Sequence, residues 1–255
     1  MLVGGEFLIL LSLFLVALLY SSVGHGGASG YLAVLSLTIY GEYDSGWLKQ
    51  HVWCLNLVVA SIAFYHYRKA GFHLPKLTLP FILASVPFAI IGGYMRINGG
   101  IYDVLLSITL IWAAYRLFQR KTLIDNEKIA IPRFSKSLPI GGGIGLISGI
   151  IGVGGGIFLS PILLLKGWAT PKSAAATAAL FIWVNSMAGL FGAGISGQLD
   201  IDFSILLPFI IAVLLGGFIG SKYGSQNAPQ IGVRYLLIIV LLFASIKRVL
   251  SLLLI

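Results

Sequence analysis

The chain alternates between long apolar runs and short polar connections. Residues 7–41, 137–165 and 173–199 contain no Asp, Glu, Lys or Arg. An uncharged apolar run of about 18 residues or more, wound as a helix, is long enough to cross a bilayer core. The pattern predicts an apolar segment over 7–23, a glycine break at Gly24-His25-Gly26-Gly27-Ala28-Ser29-Gly30, and a short apolar segment over 31–40. Three spans are predicted next, near 47–67, 77–95 and 101–118. The most polar stretch, 119–137, carries Arg120, Lys121, Asp125, Glu127, Lys128, Arg133 and Lys136 and reads as a linker. The same order then returns. A glycine-rich apolar run covers 138–151, a break follows at Gly152-Val153-Gly154-Gly155-Gly156, and a short segment covers 157–165 with Pro161 inside it. Spans are predicted near 172–193, 203–223 and 231–249.

The recurrence is an internal repeat. Gly24-His25-Gly26-Gly27 matches Gly152-Val153-Gly154-Gly155, Ser61 matches Ser186, Gly71 matches Gly197, and Gly92-Gly93 matches Gly216-Gly217. The offset drifts from 128 to 124, as differing loop lengths would cause. The expected organisation is a first membrane repeat, 1–118, a basic cytoplasmic linker, 119–137, and a second membrane repeat, 138–255.

Basic residues prefer cytoplasmic loops and so vote on the orientation of the copies. If each broken stretch crosses once, the copies are parallel and 11 of the 17 Lys and Arg lie inside. If each enters and returns as a V, the copies are inverted and 13 of the 17 lie inside, with Lys247 and Arg248 among those left out. The count favours inversion. The expected fold is an all-α polytopic membrane protein of two homologous, inverted repeats. Each repeat has a glycine-broken or re-entrant helix pair plus three spanning helices.

Composition supports the membrane reading. Hydrophobic residues make up 58% and charged residues 10%, with mean hydropathy +0.98; a soluble domain carries about 25% charged residues. A soluble globule is excluded, and so is disorder, which needs low hydrophobicity. The net charge of +9 comes from residues scattered singly between spans, the pattern of loops facing anionic lipid rather than of a nucleic-acid binder. Cys54 is the single cysteine, so no disulfide, cysteine metal site or cofactor is expected. The start of the chain lacks a basic n-region and a small-residue cleavage site, so its first segment is expected to be retained. The expected partners are a small anionic substrate and the bilayer, and a homodimer stays open.

Glycine clusters at membrane depth free backbone groups from the helix, which is tolerated only where they are buried in protein or line a polar cavity. Paired breaks at matching positions in two halves are the best sequence pointer to a transporter's substrate site. Short helices beginning near Ala28 and Gly156 would present free N–H groups and the positive end of a helix dipole, which attract anions. The candidate substrate residues are Ser21, Ser22, Gly24, His25, Gly26, Gly27 and Ser29 at the first break. At the second they are Gly152, Gly154, Gly155 and Gly156, with Thr177 and Asn185 on the following span. His25 is also the candidate proton carrier, since its unperturbed pKa lies near neutrality.

Other features read more plainly. Gly141, Gly145 and Gly149 are spaced for helix packing, as are Gly92, Gly93, Gly216, Gly217 and Gly220. His51, His66 and His73 read as interfacial. Thr177 and Ser186 are nine residues apart, about half a turn out of phase at 100° per residue, so they point to different neighbours. Asn56, Ser61, Asn185 and Ser186 fit hydrogen bonds between helices. Lys49 and Lys172 sit at span entrances, where they either draw anions in or snorkel. No carboxylate lies at a span centre; Glu6 and Asp103 are at edges. A carboxylate-based proton pump is therefore not expected, and no constellation points to an enzyme.

The two breaks carry a resemblance to a known family. GLISGIIGVGGGIFLSPILLLKGWATPKSAAATAAL, residues 145–180, looks like the signature of the sulfite exporter (TauE/SafE-like) permeases. SSVGHGGASGYLAVLSL, residues 21–37, resembles its first-half counterpart. The family's glycine motif maps onto Gly152, Gly154, Gly155 and Gly156, and its alanine-threonine stretch onto Ala176-Thr177. This chain departs from the pattern at His25, at Thr177-Ala178 and at Cys54-Leu55. The resemblance implies a secondary transporter in a prokaryotic inner membrane that moves a small sulfur-containing oxyanion, such as sulfite or an organosulfonate, mostly outward. The residues leave two alternatives open, an anion channel on the same scaffold and a non-transporting membrane subunit.

Overall fold

A computed structural model describes residues 2–95 and 129–233, together with 115, 235, 236, 238, 239 and 242. The span expected at 101–118, most of the linker and most of the span at 231–249 lie outside the described residues. All regular elements described are helices. They are α1 (Leu2–Ser21), α2 (Ala28–Ser36), a 3-10 turn (Ile39–Glu42), α3 (Ser45–Lys69) and α4 (Pro75–Tyr94). After the linker come α5 (Phe134–Ile151), α6 (Gly156–Leu165), α7 (Pro171–Ile195) and α8 (Phe203–Lys222), which runs on into a π-helical turn (Tyr223–Asn227).

Local chemistry sets these boundaries. Asp44 caps α3 by accepting from the Gly46 N–H at 2.9 Å, and His66, Arg68 and Lys69 fill its last turn, where cations complement the dipole. The Thr170 hydroxyl caps α7 with Pro171 in its first turn, and Asp202 caps α8 through the Ser204 N–H at 2.9 Å. Gly71 and Gly197, with φ of 82° and 68°, end α3 and α7 in the left-handed conformation. Four described helices, α4, α5, α7 and α8 with its π turn, are long and apolar enough to cross a membrane. The span expected at 47–67 forms as α3, but it is more polar. It carries Gln50, His51, Asn56 and His66 and keeps all four buried among its neighbours.

Helix contacts fix directions. Gly216 and Gly220 on α8 and Gly224 in its π turn press against the carbonyls of Phe14, Leu18 and Ser22, so α1 and α8 run side by side in the same direction. On α5, Gly141, Gly145 and Gly149 press against the carbonyls of Phe81, Ser85 and Ala89, so α4 and α5 do the same. Small residues every four positions let the backbones touch, which supplies the dispersion energy that holds membrane helices together. Thr78 meets Thr177 and Gly93 meets Gly189, so α4 and α7 also run the same way. Val59 meets Gly217 and His66 meets Ser221, so α3 follows α8. Between α3 and α7 the order reverses. Gln50 reaches Gln198, the Trp53 ring packs on Gly189, and Asn56 bonds Ser186. Thus α1, α3 and α8 run one way and α4, α5 and α7 the other. Each half contributes its first helix to a pair with the other half's last described long helix.

Two details differ from the sequence reading. α5 starts at Phe134, inside the stretch taken as linker. Ser61 is exposed and bonds the Leu57 carbonyl of its own helix, whereas Ser186 is buried. The residue of α3 that meets Ser186 is Asn56.

Candidate functional site

The first break is a tight turn between two helix ends. After α1 the Gly24 N–H bonds the Ser21 carbonyl and the His25 N–H bonds the Tyr20 carbonyl. Gly24 and Gly27 take φ of 74° and 100°, which a residue bearing Cβ adopts only with strain. Gly27 is the N-cap of α2. Gly30 then packs against Val16, a turn back along α1, so the chain folds back onto the helix it has left. The Ser21 and Ser22 hydroxyls bond the Leu18 and Leu19 carbonyls, and the Ser29 hydroxyl meets Tyr20 Oη at 2.9 Å.

The second break uses more glycine. Gly152, Gly154 and Gly155 have φ of 87°, 70° and 80°, and Gly155 is the N-cap of α6. Gly155 lies against Ile144, two turns back along α5, so this turn also folds back. Residues 21–30 and 151–157 are all buried. The first amides of α2 and α6 have no partner within their own helix.

The breaks meet at the middle of α3 and α7. Gly26 and Gly154 both lie against Asn56 and Ile182. Asn56 is fully buried; its Nδ2 donates to Ser186 Oγ at 3.3 Å, and its Oδ1 faces Gly26 without a hydrogen-bond partner. Tyr31, on the first turn of α2, is fully buried beneath Gly27, and its hydroxyl also has no partner. Ser148 Oγ, Trp53 Nε1 and Asn185 Oδ1 are buried in the same condition. A buried polar group left unpaired costs about 1–3 kcal/mol, so Asn56 Oδ1 and Tyr31 Oη, which lie against the adjacent Gly26 and Gly27, call for an explanation.

His25 straps the two breaks together. Its Nδ1 lies 3.1 Å from the Val23 carbonyl, its Nε2 lies 3.4 Å from Ser160 Oγ on α6, and the Gly156 backbone is within reach of the same ring. Both ring nitrogens are therefore engaged by protein. The structure brings Gly24, His25, Gly26, Gly27, Ser29, Gly152, Gly154, Gly155 and Gly156 into one buried region. It places Thr177 elsewhere, with its hydroxyl 3.1 Å from Thr78 on α4. Asn185 Nδ2 donates to the Phe181 carbonyl, and Phe181 packs on Gly155, so Asn185 borders the second break. Asn56 and Ser186 form the helix-to-helix bond expected of such residues, with each other, and do so where the two breaks meet. Their signal was the placement of Asn56 midway along a span, which becomes decisive only when the direction of α7 is known.

Polar ties close both ends of the bundle. At one, Gln50 Nε2 donates to the Gln198 carbonyl at 2.7 Å and Gln50 Oε1 accepts from the Asp200 N–H at 2.7 Å. Beside it, His51 Nε2 accepts from the Asp202 N–H at 3.0 Å while Nδ1 faces the Trp47 carbonyl. At the other end, His66 Nδ1 meets Ser221 Oγ at 2.7 Å and the Tyr67 hydroxyl donates to the Ser22 carbonyl. His51 and His66 thus sit near helix ends, as expected, but are buried inside protein rather than facing lipid headgroups. In the connecting loops, the Ser204 hydroxyl and N–H hold the Asp202 carboxyl below its ordinary pKa, and burial, then Arg68, lower that of His73. The two lysines also turn inward. Lys49 Nζ donates to the Ile150 carbonyl at the end of α5 at 3.3 Å, and Lys172 Nζ to the Ser225 carbonyl at 3.0 Å. Both place a cation on a helix C-terminus, where the dipole is negative.

The model of one family, described as sulfite exporter TauE/SafE, matches residues 9–248. The chain belongs to that family. It is 32% identical over 241 residues to a probable membrane transporter protein, y4hK, of Sinorhizobium fredii, covering 93% of this chain and 95% of that one. Bacillus subtilis supplies two further relatives, the probable membrane transporter proteins YdhB and YunE. YdhB is 22% identical over 85% of this chain and 89% of its own length, and YunE 24% identical over 65% and 64%. No solved structure matches the chain. Family membership and the apolar helices make it an integral membrane protein, a transporter of the TauE/SafE type.

Proposed function

We propose that this chain is a secondary transporter that exports a small sulfur-containing oxyanion, sulfite or an organosulfonate, across a bacterial cytoplasmic membrane. The observation that carries the reading is the meeting of the two breaks. Gly26 and Gly154, from separate halves, lie against the same two residues, Asn56 and Ile182. Each break opens a short helix, α2 or α6, whose N-terminus attracts negative charge. An anion between them is held by N–H groups and dipoles, beside Lys49, which packs its stem on Gly152 and sets its ammonium on the Ile150 carbonyl. Glycine allows this because no Cβ separates the anion from the backbone.

The opposite courses of α3 and α7 support a pair of inverted repeats. In such a pair, access alternates as the halves rock about a fixed central site. The ties of Gln50 and His51 at one end, and of His66, Tyr67 and Lys172 at the other, are the contacts that part in turn. An inside-negative potential drives a monoanion outward by about 2.3 kcal/mol per 100 mV, so export needs no coupling ion. With both ring nitrogens engaged, His25 serves here as a strap across the breaks. A proton role would require the strap to open during the cycle.

A melting-temperature screen of the purified protein against sulfite, thiosulfate, sulfoacetate, taurine and sulfate tests the substrate class. The expected result is a concentration-dependent rise for sulfite or a sulfonate, since a ligand that binds the folded state stabilises it by mass action. A protein indifferent to all five contradicts the reading.

A further inference from the structure

Two fully buried side chains at the breaks, Asn56 and Tyr31, carry polar atoms that nothing in the fold uses. Asn56 Oδ1 faces Gly26, and Tyr31 Oη lies beneath Gly27. Neither residue is needed to hold its helix. Asn56 lies midway along the 25-residue α3, and Tyr31 lies in the first turn of α2, where its own N–H already bonds the Gly27 carbonyl. A phenylalanine would fill the Tyr31 site without burying an unpaired hydroxyl, and at Asn56 the bond to Ser186 uses only Nδ2 and leaves Oδ1 with nothing to accept. Polar groups at these positions are therefore a cost to stability.

We infer that Asn56 and Tyr31 are the side-chain ligands of the anion. This rests on the transporter reading above and deepens it. The Tyr31 hydroxyl donates directly to an anion oxygen. The Asn56 carboxamide first turns over about its terminal torsion, which has a broad, two-fold profile. Gly26 touches Asn56 in this state, so the breaks part to admit the anion, and the turned Nδ2 then donates to it. The carboxamide Oδ1 then faces Ser186, whose hydroxyl can donate as readily as it accepts. The Ser186 contact at 3.3 Å is thus kept in both orientations. The resulting site is rich in donors, and the neighbouring cation, Lys49 packed on the second break, is already committed to the Ile150 carbonyl. The site grips an oxyanion by hydrogen bonds, which suits a carrier that must also release it.

Tyr31→Phe and Asn56→Asp test this with methanesulfonate, a probe whose charge is constant across the accessible pH range, using binding to the purified full-length protein. Tyr31→Phe is expected to bind about tenfold more weakly, the equivalent of one hydrogen bond to a charged group. Its melting temperature should be unchanged or higher, because an unpaired hydroxyl has gone. A purely structural tyrosine would show no loss of affinity. Asn56→Asp keeps the shape of the side chain and adds a titratable group. It is expected to bind at about pH 5 and to lose at least about tenfold by about pH 9, as a buried carboxyl ionises beside the anion. The unmodified protein should bind equally at both. Should Asn56→Asp not fold, Asn56→Ser is expected to bind about tenfold more weakly at every pH, because its hydroxyl stops short of the anion. Unaltered affinity in Tyr31→Phe, or an Asn56→Asp protein whose binding follows the unmodified one at every pH, overturns the assignment. Failure of the unmodified protein to bind or transport methanesulfonate or sulfite overturns the transporter reading itself, and is seen without any variant.

Discussion

Adding one methyl group at Gly154 tests the packing of the two breaks. Gly154 has φ of 70°, and a Cβ there would sit 2.7 Å from Ile182 Cγ2, 3.0 Å from Asn56 Nδ2 and 3.3 Å from Ser186 Oγ. The left-handed backbone alone costs a residue with Cβ about 1–2 kcal/mol. Overpacking adds about 1–3 kcal/mol. Gly197 and Gly71 provide controls that isolate the first contribution, because their φ values are 68° and 82° and a Cβ at either meets nothing within 4 Å. Gly154→Ala should therefore melt below Gly197→Ala by about 2 kcal/mol, a gap of about 4–8 °C for a chain of this size. The assay is thermal unfolding in detergent or nanodiscs, followed by intrinsic fluorescence and paired with anion flux in liposomes. Gly154→Ala should also lose transport, because its methyl occupies the space between Asn56 and Ile182, whereas both controls transport normally. Adding Ile182→Ala to Gly154→Ala should recover part of the lost stability by removing the nearest clashing atom. If Gly154→Ala melts with the controls and transports at the unmodified rate, the convergence of the breaks on Asn56 is wrong.

The other expectations follow from single contacts. Gln50→Ala removes two hydrogen bonds of 2.7 Å from the loop between α7 and α8. Amide exchange at Asp200 should rise, with a loss of about 1–3 kcal/mol for the pair. Lys172→Met removes the cation from the Ser225 carbonyl while keeping most of the apolar stem, so the π turn after α8 should exchange faster with little change at α3. Gly145→Leu places a side chain into the Ser85 carbonyl of α4 and should prevent recovery of folded protein. Gly143→Leu, at a position where a Cβ meets nothing, should be neutral. In the loops, Asp202 titrates below its ordinary value because Ser204 bonds its ionised form. The cap it provides is thus present above the unfolded pKa and is lost as pH falls through the folded one. Unfolding measured across acid pH should show this dependence, and Asp202→Asn should flatten it.

Much of the architecture is legible in the sequence because the bilayer leaves few options. Charge-free runs must be helices, and glycine clusters within them must be breaks. The structure forms both breaks where the sequence places them. Gly141, Gly145 and Gly149 announce their packing by spacing alone, and each meets α4 backbone. The central site is less legible. Asn56 reaches Ser186 only because α3 and α7 run in opposite directions, and direction is a property of the assembled bundle. Ser61, expected to bond between helices, faces outward and bonds its own helix. Thr177 was drawn into the site by its place in a motif, yet its hydroxyl serves the α4 contact. His25 is a proton-carrier candidate in the sequence only through its near-neutral unperturbed pKa, and the sequence does not show what its ring meets. Its partner Ser160 is 135 positions away. Lys49 and Lys172 look like entrance charges until the carbonyls they cap are seen.

Anion flux from liposomes under a clamped potential tests the central claim most directly. Saturable efflux of sulfite or methanesulfonate that accelerates on counterflow is expected. The outward driving force should grow with inside-negative potential, by about 2.3 kcal/mol per charge per 100 mV. The flux should disappear in Gly154→Ala and survive in Gly197→Ala. Efflux no greater than from protein-free liposomes, or unitary conductance in place of counterflow, would contradict it.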